Sequence, residues 1–67
     1  MITIHLNERS LNIDNDLNIL QLLQQVNSPI KGIAVAINAN IISQSQWETV
    51  TLNHDDNVLI IQATQGG

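Results

Sequence analysis

A chain of 67 residues, 43% of them hydrophobic, holds one domain with one small core and is too apolar to be disordered. It has no cysteine, which excludes disulfides, thiolate metal sites and a cysteine nucleophile. Its net charge is −4 and its only cations are Arg9 and Lys31, so it lacks the clustered Lys and Arg with which nucleic acid is bound.

The first segment alternates. Ile2, Ile4 and Leu6 are apolar, while Thr3, His5 and Asn7 between them are polar, the period of a half-buried strand. Asn7-Glu8-Arg9-Ser10 reads as a turn, after which Leu11 and Ile13 resume the alternation and complete a hairpin. Asp14-Asn15-Asp16 breaks the pattern, and the period then changes. Ile19, Leu22, Leu23 and Val26 fall at i, i+3, i+4 and i+7, one stripe of a helix of about nine residues. Asn18 is its N-cap and Gln21 completes a capping box, with Leu17 and Leu22 at the positions of a hydrophobic staple. Leu20 lies off the stripe, and the helix stops before Asn27-Ser28-Pro29.

Ile33 to Ile37 is a third strand, with β-branched residues on one face and Ala34 and Ala36 on the other. Asn38-Ala39-Asn40 turns it back into a short strand at Ile41-Ile42. Trp47, the only aromatic residue, is expected to close a corner of the core. Thr49, Val50 and Leu52 suggest another extended piece, Asn53 to Asn57 a turn, and Val58 to Ala63 a last strand that is apolar on both faces. His5 and His54 are far apart in sequence and read as solvated side chains, and Asp55-Asp56 as a solvated turn without the ligands of a metal cage. The expected fold class is α+β. It is a mixed sheet of four to five strands with one main helix on one face, and the first and last strands are parallel central neighbours. This is the β-grasp, or ubiquitin-like, arrangement. The domain is expected to span residues 1–63, followed by a flexible C-terminal diglycine tail at 64–67.

No apolar run approaches the roughly 20 residues of a membrane span, and Met1 to His5 lacks the basic and apolar regions of a signal peptide. The expectation is a mature cytoplasmic protein, monomeric when free, with neither a membrane nor a nucleic acid as partner.

The chain resembles the thiamine-biosynthesis sulfur carrier family. The stretch Ala36-Ile37-Asn38-Ala39-Asn40-Ile41-Ile42 with the following Gln46-Trp47 is similar to that family's Asn-containing hairpin and Gln-Trp pair. The helix Ile19-Leu20-Gln21-Leu22-Leu23, the turn before the last strand and the final Gly66-Gly67 also match, so the resemblance spans the chain. The departures are Ser43-Gln44, where the family often has Pro and a basic residue, Asp55 at a Gly position, and Thr64-Gln65 before the diglycine. The resemblance implies a carrier with no catalytic site and no bound cofactor. A partner adenylating enzyme uses ATP and Mg²⁺ to activate the carboxylate of Gly67, sulfur then replaces AMP, and the thiocarboxylate passes sulfur to thiazole synthase. Gly66 keeps the approach narrow, because glycine has no Cβ. Thr64 and Gln65 form an extended handle for the partner.

The ubiquitin-like register turns Val58 and Ile60 inward and Leu59 and Ile61 outward, beside Ala34 and Ala36. An exposed apolar patch on a small domain is an interaction site, so both enzymes are expected to dock there. The rival readings are the small subunit of molybdopterin synthase, a modifier conjugated to lysines through its last glycine, and a β-grasp adaptor with an inert tail.

Overall fold

The structure, a computed structural model, describes residues 1–62. Five strands and one helix follow in the order β1 (Ile2–Leu6), β2 (Arg9–Ile13), α1 (Ile19–Gln25), β3 (Ile33–Ile37), β4 (Asn40–Ile42) and β5 (Asn57–Gln62). The sheet order is β2-β1-β5-β3-β4. β1 and β5 run parallel at the centre, and every other pairing is antiparallel. The expected β-grasp architecture is therefore present, with the sheet at five strands. The parallel pair is possible because the chain between the two strands, α1 included, makes the long crossover that such pairing requires.

Both hairpins turn more tightly than the residue types suggest. Ile2 pairs with Ile13 and Leu6 with Arg9, so the first turn is Asn7-Glu8 alone and Arg9-Ser10 already belongs to β2. Ile37 pairs with Asn40, so the second turn is Asn38-Ala39 and Asn40 opens β4. All four turn residues have positive φ, at 47° and 72° in the first turn and 50° and 72° in the second. That is the type I′ geometry whose twist matches the strands it joins.

The helix begins as read and ends by a different device. Asn18 Oδ1 accepts from the Gln21 N–H at 2.7 Å, and Gln21 Oε1 accepts from the Asn18 N–H at 3.0 Å, a closed capping box. α1 has seven residues rather than about nine. Asn27, at φ 57°, takes the left-handed conformation, its N–H donates to the Gln24 carbonyl, and the Ser28 N–H donates to the Leu23 carbonyl. This Schellman arrangement satisfies the last carbonyls two residues before Pro29 is reached.

Ile19, Leu22 and Leu23 of α1 are fully buried against Ile4, Ile13, Val35 and Val58 from the inner face of the sheet. Val26, Leu17 and Leu20 are half-buried at the margin of this core. Trp47 closes one end at 3% exposure, and its Nε1–H donates to the Ile42 carbonyl at 3.1 Å. The chain reaches it through a short 3₁₀ turn at Gln44–Gln46. The extended piece expected at Thr49, Val50 and Leu52 is not a strand. Only Thr51 makes a bridge, to Asn18, while the Leu52 N–H donates to the Leu17 carbonyl and the Ile19 N–H to the Val50 carbonyl. The segment is an anchored loop that seats Leu52 in the core beneath the start of α1.

Candidate functional site

β5 is apolar on both faces because it is central to the sheet and serves two surfaces. Val58 is 2% exposed and Ile60 half-buried on the inner face. Leu59 and Ile61 point outward, at 47% and 44% exposure. The register with β3 sets Ala36 opposite Leu59 and Ala34 opposite Ile61, so these four residues share the outer face. Ala36 departs from expectation in one respect: it is buried, at 6%. Its small side chain lies in a row between Leu59 on β5 and Ile41 on β4, its partners in register on either side, and both reach further out than a methyl group. Ala36 is thus the floor of the patch, and the larger neighbours are its rim.

Ile41 is the member of this face that sequence reading missed. It is 67% exposed, the most exposed isoleucine of the described residues. The register supplies the reason: a two-residue turn starts β4 at Asn40, and strand alternation then sends Ile41 out and Ile42 in, a boundary the turn-like Asn40 conceals in the sequence. The other half of the outer face is polar. Thr3 Oγ1 donates to Asn12 Oδ1 at 2.8 Å, and His5 faces Ser10 across the β1–β2 ladder. One sheet surface therefore carries an apolar field on β5, β3 and β4 and a polar field on β1 and β2.

The turn before β5 is organised by its acids. Asp55, at φ 69°, takes the left-handed conformation that its replacement of glycine requires. Its N–H donates to the Thr3 carbonyl at 2.7 Å. Asp56 is not solvated as expected but buried, at 8% exposure. Its Oδ1 accepts from Asn38 Nδ2 at 3.0 Å and its Oδ2 from the Asn53 N–H at 2.8 Å. Asn38 Oδ1 in turn accepts from the Asn57 N–H at 2.9 Å. The Asn38 that permits the hairpin turn thus also ties that hairpin to the start of β5.

His5 and His54, distant in sequence, converge on Asp55, and Nε2 of each lies 3.6 Å from Asp55 Oδ1. Nδ1 of His54 accepts from the Thr3 N–H at 3.1 Å, which ties the 53–57 turn to β1. All three side chains are exposed to solvent. Among the described residues no group of three or more His, Cys, Asp or Glu is arranged to hold a metal ion. No helix among them is long and apolar enough to cross a membrane.

Thr64, Gln65, Gly66 and Gly67, the expected handle and reacting end, lie outside the described residues, as does Ala63. The described chain leads to them along β5, so the patch of Leu59 and Ile61 immediately precedes that segment.

Comparison with known proteins bears on the whole chain. No curated protein matches it significantly. A crystal structure of the thiamine biosynthesis protein ThiS from Geobacter metallireducens superposes with a TM-score of 0.86 at 19% identity, over 98% of this chain and 100% of that one. A solution structure of a thiamine biosynthesis protein from the same organism gives a TM-score of 0.78 at 19% identity, over 98% of this chain and 88% of that one. At this identity these likenesses speak for the fold. The ThiS family model matches residues 2–67, which takes in the hairpin, Trp47 and the diglycine, and the chain belongs to the ThiS family.

Proposed function

We propose that this protein is the sulfur carrier of thiamine thiazole synthesis, with the Gly67 carboxylate as its reacting group. The observation that carries this reading is the family match over residues 2–67, which includes Gly66 and Gly67. A carboxylate is a poor acyl donor because oxide leaves badly, so it must first be activated. A partner adenylating enzyme with ATP and Mg²⁺ forms the acyl-adenylate and releases pyrophosphate. A sulfur nucleophile then attacks the acyl carbon, AMP leaves, and a thiocarboxylate remains for thiazole synthase. The carrier itself contributes position, not catalysis. Its outer apolar patch of Leu59, Ile61, Ala34, Ala36 and Ile41 docks the enzymes, and the segment after β5 reaches into their active sites with Thr64 and Gln65 as its handle.

The decisive test is the intact mass of the protein after incubation with its adenylating enzyme, ATP, Mg²⁺ and a sulfur source. A gain equal to the difference between sulfur and oxygen, lost on deletion of Gly67, is the expected result. No gain with active components would refute the carrier reading.

A further inference from the structure

A groove of about 600 Å³ opens on the outer face between the two hairpin turns. Its floor is apolar, formed by Ala36 and Leu59, and its two ends are the turns themselves. Glu8 and Ala39 both line it, and each is the second residue of its type I′ turn, at φ 72°. This is the position that glycine normally fills, because a side chain there costs roughly 1 kcal/mol or more. Both turns keep a side chain at their strained position, and both side chains edge the same groove.

The polar groups of the walls narrow the occupant. Asn7 is engaged: its Oδ1 accepts from the Ile60 N–H at 2.9 Å, and its Nδ2 faces the Ile60 carbonyl at 3.5 Å. Asn38 is held by Asp56 and by the Asn57 N–H. His5 faces Asp55. What remains uncommitted is the Glu8 carboxylate, which has no ion-pair partner among the described residues, and the Asn57 carboxamide. A groove with an apolar floor, a free carboxylate at one end and an adjacent amide suits a long side chain with an aliphatic stem and a cationic, donor-rich head. Arginine meets both requirements, since its stem packs on apolar surface while its planar fork binds a carboxylate through two hydrogen bonds. The overall charge of −4 favours approach by a basic partner surface.

We propose that this groove receives an arginine side chain of the partner adenylating enzyme, paired with Glu8 and lying over Leu59 and Ala36. The inference rests on the carrier reading and extends the docking face from the Leu59–Ile61 patch to the opposite end of β5.

The test measures two quantities on each variant, thermal stability and the dissociation constant for the adenylating enzyme. Glu8→Gly is expected to raise Tm by about 4 °C, because it relieves a strained turn in a domain of this size. The same variant should bind the enzyme about tenfold or more weakly. Glu8→Gln keeps the side chain and removes the charge, so it should leave Tm unchanged, weaken binding and flatten its salt dependence. Glu48→Gln, an equal charge change beside the start of α1 and away from the groove, should bind as the native protein does. Native-like binding by both Glu8 variants would overturn the groove assignment while leaving the carrier reading intact. If the native protein itself failed to bind the active enzyme, both would fall together.

Discussion

The two faces of β5 are nearly alike in composition and opposite in use. Val58 and Ile60 look inward to α1, and Leu59 and Ile61 look outward to solvent. A strand apolar on both sides usually means a sheet covered on both sides. Here only one side is covered by the domain itself, so the second apolar face stands open in the isolated chain. The difference separates residues that hold the fold from residues kept for another surface, and substitutions can pull the two apart.

The largest effect is expected at Val58. Val58→Asp places an unpaired charge on the inner face and should abolish the cooperative unfolding transition followed by circular dichroism. A folded Val58→Asp variant would break the comparison outright. Leu23→Ala should cost about 3 kcal/mol in urea denaturation, from lost burial plus the cavity left under α1. Asn38→Ala removes both side-chain links between the β3–β4 turn and the start of β5. It leaves Asp56 Oδ1 buried without its donor, so the expected cost is about 2 kcal/mol. Ile61→Asp on the outer face should cost about 1 kcal/mol or less, the scale of a strand preference at an exposed site. The same change should weaken capture by the adenylating enzyme in a pull-down. Unfolding of Ile61→Asp would move that residue from the docking face to the core.

Much of the fold was readable because local signals agreed with one another. The alternation of Ile2, Ile4 and Leu6, the Asn18–Gln21 capping box and the change of period at Ile19 each specify an element without reference to the rest. The turn boundaries were less legible. Asn-Gly announces a two-residue type I′ turn, whereas Asn7-Glu8 and Asn38-Ala39 adopt it without the glycine, so the polar residues beside them looked like turn as well. Thr49 to Leu52 resembles a strand by residue type, but its backbone groups are taken by the start of α1, a tertiary fact with no local trace. The candidate site divides in the same way. The outward direction of Leu59 and Ile61 followed from the period of two. The burial of Ala36 depends on its register with Ile41 and Leu59, and the approach of His5 to His54 and Asp55 on contacts across some 50 residues, as the Thr3–His54 hydrogen bond shows.

The parallel pairing of β1 with β5 also governs when this protein can come into being. β5 is the last of the described strands in chain order, yet it lies between β1 and β3 and is the one neighbour they share. Before it emerges, the two hairpins have no common sheet to join, and the helix has only part of a surface to pack on. Isolated hairpins are marginal in water, so a nascent chain halted before Asn57 holds no stable intermediate. The sheet therefore assembles as one event that waits for β5, rather than hairpin by hairpin. A chain cut before Asn57 lacks the central strand, so it is left open to proteolysis rather than folded around a partial core.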